Sequence, residues 1–311
     1  MSSDISARNE IPNASLKEGG ENMGWLGRLI DRTAKLLLSF SIIRVPARWL
    51  ANSRFAWSFV SRTDRVRANR LRDRVKTGEI PQHVSIIMDG NRRFAEKEGI
   101  ESSTGHRYGK QKLEEVMDWV LDLDIPYLTV YALSTENVTS RTGEELEVLF
   151  DLYVEGLREL LENERIYSNR VQVRIAGHKE LLPPRVLAAI EAAEMGTVEH
   201  DGCVFTICLA YGSREEILKA VRSIAEDHAA GEISLEDINQ ASISNRLYTA
   251  GLPDPDLIIR TSGEERISNF LLWQAAYSEL YFTDVFWPSF SKSDFYTAIE
   301  SYQNRRRRFG E

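Results

Sequence analysis

The sequence has few of the residues that mark several common classes of protein. It contains two cysteines in 311 residues, Cys203 and Cys208, so neither a disulfide framework nor a cysteine-based zinc site is expected. The run CVFTIC that carries them predicts a buried strand in which both cysteines are small core residues. A reducing, cytoplasmic setting fits this composition.

Two nucleotide-binding motifs are missing as well. Neither a GxxxxGK[ST] run nor a strand followed by GxGxxG occurs in the sequence, so a nucleotide ligand is not indicated. Long apolar runs are also lacking. The apolar run of residues 36–43 is too short to span a bilayer, and no secretory signal is expected.

Charge is distributed unevenly along the chain. Residues 24–76 carry thirteen lysines and arginines against three aspartates, whereas the whole chain has a net charge of −8. A basic segment on an acidic body indicates a partner that carries phosphate groups, such as a membrane surface or a nucleic acid. No nucleic-acid recognition module accompanies the segment, so a nucleic-acid partner is not expected.

The composition predicts three segments. Residues 1–23 are polar and are expected to be disordered, residues 24–80 form a basic amphipathic extension, and residues 81–311 form one domain. Trp, Leu and Phe are mixed with Arg and Lys in the extension, which is typical of a helix lying in a membrane interface. Such a helix would make the protein peripheral at a membrane surface. The alternative is an amphipathic helix packed on the domain or on a partner subunit.

Buried strands alternate with helices from residue 81 onward. Such alternation predicts an α/β domain with a mostly parallel central sheet of about six strands, covered by helices on both faces. The strands are expected in the runs HVSIIMDG, YLTVYALS, VQVRIAG, CVFTICLAY and DPDLIIR and over residues 281–286. Helices are expected over residues 106–123, 144–165 and 293–308, from Pro184, and from a capping box of Ser213 and Glu216.

Polar side chains collect where these strands end, in the runs MDGNRR, STEN and IRTSGEERIS. In a parallel sheet such ends face one edge. Arginine side chains bind diphosphates through charge-assisted hydrogen bonds of about 1.5–3 kcal/mol each. Gly90 and Gly105 let backbone N–H groups approach, and a carboxylate such as Asp89 suits Mg²⁺. By itself the pattern predicts an anionic, phosphorylated ligand, with a solvated loop and surface ion pairs as the alternative.

The same runs resemble the cis-prenyltransferase family, which includes undecaprenyl and dehydrodolichyl diphosphate synthases. The matching stretches lie between residues 81 and 310 and are HVSIIMDGNRRFA, GHRYG, YALSTEN, PDLIIRTSGEERISNFLLWQAAYSELYFTDVFWPSF and RRRRFG. The resemblance implies a Mg²⁺-dependent polyprenyl diphosphate synthase. Such an enzyme adds isopentenyl diphosphate units in cis to an allylic diphosphate, here geranylgeranyl or farnesyl diphosphate, and makes a long glycosyl-carrier lipid precursor. A homodimer and a hydrophobic tunnel are also implied, and we expect residues 148–154 and 171–175 to line the tunnel.

The resemblance implies roles for individual residues. Asp89 is expected to be catalytic and to hold Mg²⁺, Glu279 is expected to be a second metal ligand, and Asn137 is expected to assist proton removal. The residues expected to bind substrate are Gly90, Asn91, Arg92, Arg93, Phe94, Ser102, His106, Ser134, Thr135, Glu136, Val138, Arg141, Arg260, Arg266, Ile267 and Ser268. Of these, Arg260, Arg266 and Ser268 are expected to hold isopentenyl diphosphate, and the residues after Asp89, with His106, the allylic diphosphate.

Several positions depart from the bacterial pattern of the family. Arg92 stands in place of a glycine, which resembles archaeal and eukaryotic members, Ser102 in place of an arginine, and Val138 in place of an aromatic residue. Because Ser102 and Val138 fall at the acceptor end, prenyl transfer to an unusual acceptor is an alternative function. A non-catalytic subunit of a prenyltransferase complex is a second alternative, against which the aspartate and arginine set argues.

Overall fold

The computed structural model describes residues 66–305. The predicted disordered segment 1–23, the proposed interfacial helix and the closing Arg308-Phe309-Gly310 lie outside the described residues. Within 66–305, six strands are formed: β1 (His83–Ile87), β2 (Tyr127–Tyr131), β3 (Val171–Ala176), β4 (Cys203–Cys208), β5 (Leu257–Arg260) and β6 (Glu279–Phe282). They make one sheet in the order β3-β4-β2-β1-β5-β6, and every neighbouring pair is parallel. The predicted α/β class and the parallel six-stranded sheet are confirmed.

The described α-helices precede, connect and follow these strands. They are α1 (66–75), α2 (Asn91–Glu98), α3 (Ser102–Asp122), α4 (Thr135–Ser140), α5 (Gly143–Glu162), α6 (Glu164–Ser168), α7 (Pro184–Thr197), α8 (Ser213–Ala229), α9 (Gln240–Ser244) and α10 (Lys292–Asn304). Pro184 is the first residue of α7, as predicted, because proline lacks the N–H that a first helical turn leaves unpaired. No helix within residues 66–305 is long and apolar enough to cross a membrane.

Burial explains why the positions of the central strands could be predicted from the sequence. Every residue of β1, β5 and most of β4 is buried, which is the pattern of a parallel sheet covered on both faces. The sixth strand, predicted over residues 281–286, spans Glu279–Phe282, so it starts two residues and ends four residues earlier than predicted. Its four residues are half-buried, because β6 is an edge strand of the sheet.

The predicted capping box at the start of α8 is wrong. Gly212 occupies the N-cap position without a side-chain cap, and Ser213 is the first helical residue. The Ser213 hydroxyl instead accepts a hydrogen bond from the backbone N–H of Leu272 at 2.9 Å. Since Ser213 is fully buried, its side chain joins α8 to the loop after β5 rather than closing the helix end.

Helix α1 packs on the domain, although it belongs to the predicted extension. Ala68, Leu71 and Val75 are buried in the main apolar core. Asp122, the last residue of α3, accepts hydrogen bonds from Arg72 of α1 at 2.6 Å and from Tyr296 of α10 at 2.9 Å. The apolar contacts and this carboxylate hold α1 to the core, and the boundary at residue 80 stays a prediction.

A buried histidine at the start of β1 predicts a pH-dependent stability. His83 is 1% exposed; its Nδ1–H donates to the carbonyl of Pro253 at 2.7 Å, and its Nε2 accepts from the Thr129 hydroxyl at 2.8 Å. Burial lowers the pKa of His83 from 6.5 to about 4. Between these values the unfolded chain binds the proton and the folded chain does not, so stability falls as the pH drops through this window.

The expected size of this effect follows from the shift. About 1.4 kcal/mol per pKa unit gives a loss of roughly 3 kcal/mol between pH 6.5 and 4. Urea unfolding at several pH values measures it, because the non-titrating His83→Gln variant should show a slope shallower than the wild type in this window. The exposed His228→Gln variant is the control. Equal slopes for wild type and His83→Gln would contradict the assignment.

Candidate active site

The predicted catalytic aspartate lies between two arginines at the carboxyl edge of the sheet. Asp89 follows β1, and its Oδ2 accepts a hydrogen bond from Nη2 of Arg260, the last residue of β5, at 2.9 Å. Its Oδ1 lies 3.1 Å from Nη2 of Arg93, one helical turn later on α2. The Asp89 side chain is 28% exposed. The MDGNRR turn and the RTSGEERIS loop therefore meet on the same side of the sheet.

The backbone brings these two segments into close contact. Gly90 caps α2 with φ +106°, a conformation that side-chain-bearing residues rarely adopt. A Cβ at Gly90 would lie 2.9 Å from the Ser262 hydroxyl. The Thr261 hydroxyl, next to Arg260, donates to the carbonyl of Asp89 at 2.6 Å. Gly90 and Thr261 thus fix the aspartate against the end of β5.

Arg260 anchors the loop that follows β5. It is 4% exposed, and its Nη1 donates to the Ser268 hydroxyl at 2.8 Å and to the carbonyl of Arg266. The Arg266 side chain is mostly exposed and pairs with Glu264, whose other oxygen accepts from Arg93 at 2.9 Å. Three arginines thus meet around two carboxylates, and a dianionic ligand can replace those carboxylates as their partner.

A second group of basic side chains, Arg92 and Arg141 beside His106, lies between α2, α3 and the start of α5. Burial, together with the guanidinium groups of Arg141 and Arg92, lowers the pKa of His106 to about 4. The imidazole is therefore neutral at pH 7. Gly105 and Gly109 of α3 lie against Asn91, where a Cβ would approach the Asn91 oxygens to 2.5 and 2.4 Å. This packing places His106 beside the helix that follows Asp89.

Several buried polar atoms around these two groups have no hydrogen-bond partner among the described residues. They are Oδ1 of Asn91, Nε2 of His106, Nε of Arg141, Nε of Arg260 and Oγ of Ser262. An unpaired buried polar atom costs about 1–3 kcal/mol. Their concentration at one edge of the sheet fits a site that a polar, anionic ligand completes.

The second predicted motif joins the same edge through the turn after β2. Ser134 caps α4, its hydroxyl accepting from the N–H of Asn137 at 3.0 Å. Glu136 accepts a hydrogen bond from the Asn269 side chain at 3.0 Å. Burial tends to raise the pKa of Glu136, but hydrogen bonds from its own backbone and from Asn269 outweigh this effect, so its pKa is lowered. Glu136 is therefore an ionised carboxylate beside the Arg260 loop.

Other predicted residues lie at the margin of this cluster. Phe94 makes an edge-to-face contact with Tyr108, with 6.0 Å between ring centroids. Ser102 is the first residue of α3, Val138 packs against the main core, and Ile267 packs on the smaller aromatic core below the site. Thr135 donates to Glu136 at 3.2 Å.

Glu279 is not brought together with Asp89 within one chain. It is the first residue of β6 and pairs with Leu257 at the amino end of β5, whereas Asp89 follows the carboxyl end of β1. Three residues of strand separate these ends, roughly 10 Å at about 3.3 Å per residue. Two carboxylates that share a Mg²⁺ must each lie about 2 Å from it. Glu279 instead pairs with Arg305 at 2.6 Å, so the structure does not bring it to Asp89 of the same chain, and its role as a metal ligand stays a prediction.

The donor set at the edge fits a metal bound together with a diphosphate. No group of three metal-ligating side chains occurs among the described residues, so a cation held by the protein alone is not supported. Mg²⁺ in phosphoryl sites is commonly held by one or two carboxylates plus substrate oxygens. The partly exposed Asp89 carboxylate is suited to this arrangement.

An apolar cavity of about 220 Å³ begins at the same edge. Asn91 and His106 line it, and its walls come from α3, α5 and the sheet. Charged and polar residues also take part in the lining, namely Lys110, Glu114, Asp118, Glu159, Asn163 and Arg165. The apolar residues that line it include Leu113, Met117, Leu149, Leu152, Leu157, Leu160, Phe205, Ile207 and Leu209. The prediction for 148–154 of α5 agrees with this lining, whereas no residue of 171–175 takes part. Strand β4 supplies the wall instead, because it lies between β3 and β2 in the sheet.

Sequence reasoning missed residues that hold the site together. These are Thr261, Ser262, Glu264 and Asn269, which all lie within the loop after β5, and Glu145, whose carboxylate lies 3.8 Å from Arg92. All of them except Glu145 belong to the run TSGEERISN, which the sequence already marked as a polar loop at the end of a strand. Nothing in that run separates ligand-binding side chains from those that support them.

Comparison with known proteins identifies the family. Residues 87–310 match the family model of prenyltransferases described as undecaprenyl diphosphate synthase. A protein of Methanopyrus kandleri is 53% identical over 240 residues, which cover 77% of this chain and 88% of that protein. It is named tritrans,polycis-undecaprenyl-diphosphate synthase (geranylgeranyl-diphosphate specific). A protein of Thermococcus kodakarensis with the same name is 49% identical to this chain. The match covers 77% of this chain and 90% of that protein.

A solved structure agrees in fold. The crystal structure of lavandulyl diphosphate synthase from Lavandula x intermedia, in complex with dimethylallyl diphosphate, is 36% identical in sequence. It superposes with a TM-score of 0.72 and covers 75% of this chain and 99% of its own.

Proposed function

Since the chain belongs to the undecaprenyl diphosphate synthase family of prenyltransferases, we propose that it condenses isopentenyl diphosphate in cis onto an allylic diphosphate. Geranylgeranyl diphosphate is the proposed starter, because the similar archaeal proteins are named as specific for it. The product is a long polycis-prenyl diphosphate, the precursor of a glycosyl-carrier lipid.

One observation carries the proposal: two separate sets of basic side chains lie on the segments that adjoin Asp89. Arg92 and Arg141 lie beside the neutral His106, which lines the cavity. Arg260, which contacts Asp89, and Arg266 form the second set. Two diphosphates need two such sets. Because the allylic chain requires an apolar environment, the set beside the cavity is proposed to bind the starter, and the Arg260 loop the isopentenyl diphosphate.

The residues then have defined roles. When Mg²⁺ is bound at Asp89, it neutralises charge on the diphosphate leaving group. Arg93 and the cations beside His106 stabilise the negative charge that develops as the allylic carbon–oxygen bond breaks. The double bond of isopentenyl diphosphate forms the new carbon–carbon bond, and the proton lost from its C2 passes toward the Ser134–Asn137 turn, where Asn137 is the proposed assistant.

The cavity is proposed to receive the growing prenyl chain. Burying one five-carbon unit in apolar surroundings contributes on the order of 4 kcal/mol, at about 0.8 kcal/mol per carbon. This free energy favours movement of the chain into the cavity after each addition, which leaves the sheet edge open to the next donor. Helix α5 and strand β4 supply apolar residues to the lining on which the chain can pack.

Filling the cavity is expected to shorten the product. Leu160 of α5 lines it and is only partly buried by the core, so a Leu160→Trp side chain occupies space in which the chain grows. Reversed-phase thin-layer chromatography of the products should show a distribution several isoprene units shorter, with the rate of the first condensation within about threefold of wild type. Leu187→Trp on α7, also partly buried but outside the cavity, is the matched control. Unchanged product lengths for Leu160→Trp would rule out this cavity as the path.

The activity itself is tested directly. Purified full-length protein is incubated with labelled isopentenyl diphosphate, Mg²⁺ and a panel of dimethylallyl, geranyl, farnesyl and geranylgeranyl diphosphates, and the products are sized. Long products primed best by geranylgeranyl diphosphate are expected, and EDTA should abolish them. No elongation with any starter would overturn the proposal and favour a non-catalytic subunit.

Transfer to a different acceptor is the second candidate. It is favoured by the likeness to a lavandulyl diphosphate synthase and by Ser102 and Val138, which depart from the bacterial pattern. Dimethylallyl diphosphate supplied as the only prenyl substrate tests it. A ten-carbon diphosphate formed without isopentenyl diphosphate would establish this activity.

The homodimer and the peripheral membrane contact are kept as proposals. The half-buried edge strand β6, with Tyr277 80% exposed just before it, supports an interface between two copies. Arg67, Arg70 and Arg74 line a groove of about 410 Å³ on α1, which supports contact with anionic lipid. Sedimentation velocity and flotation with phosphatidylglycerol vesicles measure the two properties separately.

A further inference from the structure

The loop after β5 contains a residue with an unusual backbone and an unusual set of contacts. Asn269 has φ +61°, and its neighbours Ser268 and Leu271 have φ +48° and +47°. Left-handed conformations cost free energy in residues other than glycine, and asparagine tolerates them best. A loop that holds several such residues must be fixed by its surroundings.

The Asn269 side chain uses both of its polar ends. Its Nδ2 donates to Oε1 of Glu136 at 3.0 Å and to Oε2 of Glu215 at 3.1 Å. Its Oδ1 accepts from the backbone N–H of Arg214 at 2.9 Å, and its own carbonyl accepts from the N–H of Ser213 at 2.8 Å. A neutral amide suits this position, because it presents N–H donors to the two carboxylates and an acceptor to the helix N-terminus.

The contacts of Asn269 converge over Gly212. A Cβ at Gly212 would lie 2.1 Å from Oε2 of Glu215, 2.7 Å from the Thr135 hydroxyl and 2.8 Å from Nδ2 of Asn269. The turn after β2, the start of α8 and the loop after β5 therefore meet closely around Gly212. Asn269 is the side chain that bonds to both of the other two segments.

The neighbour of Asn269 connects this junction to the donor site. The Ser268 hydroxyl accepts from Arg260 at 2.8 Å, and the Ser268 carbonyl lies 3.4 Å from the Tyr131 hydroxyl. A change at Asn269 therefore moves the segment that carries Arg266 and Ser268 relative to the Ser134–Asn137 turn. The allylic set of Arg92, His106 and Arg141 makes none of these contacts.

We propose that Asn269 is a positioning residue that sets the isopentenyl diphosphate loop against the Glu136 turn, and that it thereby controls affinity for the donor but not for the allylic starter. This inference rests on the proposed function, since it assigns the two cation sets to donor and starter.

Two variants of the full-length protein test it. Asn269→Gly keeps the left-handed backbone and removes the side chain, and Asn269→Asp keeps the shape but places a third carboxylate between Glu136 and Glu215. We expect the KM for isopentenyl diphosphate to rise about tenfold in Asn269→Gly and more in Asn269→Asp. The KM for geranylgeranyl diphosphate should stay within twofold, and the melting temperature of Asn269→Gly near that of wild type.

A double variant and a matched control separate positioning from folding. Glu215→Gln combined with Asn269→Asp restores an N–H donor to the junction, so the donor KM should fall at least threefold from that of Asn269→Asp alone. Asn239→Gly removes an asparagine that caps α9 through two hydrogen bonds and should lower the melting temperature without changing either KM. Equal rises in both KM values, or no rise in either, would overturn the proposal.

If the proposed function is wrong, ligand binding can still test the positioning role of Asn269. If wild type forms no product with any starter, calorimetric titration with inorganic pyrophosphate still compares wild type with Asn269→Gly. Weaker binding by the variant would keep the positioning role, and equal binding would remove it.

Discussion

Replacing Asp89 is expected to reduce turnover about 10³-fold while leaving the KM for the allylic starter unchanged or lower. Metal-assisted stabilisation of a leaving group contributes several kcal/mol to a barrier, and each 1.4 kcal/mol is a factor of ten in rate. The carboxylate also occupies Arg260 and Arg93, at 2.9 and 3.1 Å. Without it the Nη2 groups of both arginines can donate to a diphosphate instead, so ground-state binding is retained while the transition state loses its metal.

The choice of variant matters because Arg260 is almost fully buried. Removal of one partner of a buried ion pair destabilises a protein by about 3–5 kcal/mol, so Asp89→Ala is accompanied by Asp89→Asn, which keeps the shape and one acceptor oxygen. Steady-state kinetics with each substrate varied in turn, together with thermal melts, separate catalysis from folding. Asp201→Asn breaks an exposed ion pair with Arg170 before β4 and serves as the control. Turnover of Asp89→Asn within tenfold of wild type would contradict the role of this carboxylate.

The sheet was predictable from sequence because its central strands are buried on both faces. Such strands appear as continuous apolar runs bounded by turns, and right-handed crossovers place their carboxyl ends at one edge. The edge strand β6 was misplaced by two residues at its start and four at its end, because its half-buried positions give no clear apolar limit.

Helix α2 was not predicted, and its residues show why. The sequence NRRFAEKE contains one buried residue, Ala95, so it has no apolar stripe of helical period. It is stabilised instead by tertiary contact, since Gly105 and Gly109 let α3 pack directly against Asn91. This helix brings Arg93 to Asp89, one helical turn earlier. Because the helix itself was not predicted, this contact could not be predicted from the sequence.

The residues that meet substrates were easier to find than those that position them. Arginine and aspartate next to strand ends indicate phosphate chemistry by residue type alone. Asn269 and Thr261 act through hydrogen bonds whose partners lie 133 and 172 residues away, and such partners are visible only in the folded chain. The resemblance named Glu279 but could not give its position, and the strand register places it at the opposite end of the sheet.

The Arg260 side chain connects the two halves of the site. Its Nη2 holds Asp89, and its Nη1 holds Ser268 and the carbonyl of Arg266. A lysine keeps the charge but has one nitrogen, which cannot reach both partners in the planar geometry of a guanidinium. Charge-assisted hydrogen bonds contribute about 1.5–3 kcal/mol each, so the loss of one of them at the reacting diphosphates has a large effect.

Arg260→Lys is therefore expected to lower kcat/KM for isopentenyl diphosphate about 10²-fold, through a higher donor KM and a lower kcat together, while the KM for the starter changes little. The difference arises because the freed loop no longer presents Arg266 and Ser268 to the donor, whereas the cations beside His106 are untouched. Arg246→Lys is the control, since the half-buried Arg246 side chain likewise contacts several partners, Ser223, Ser242 and Asp227, away from the site. Its effect should appear in the melting temperature alone. If Arg260→Lys lost no more than threefold in donor kcat/KM, Arg260 would hold the fold together without binding the donor diphosphate.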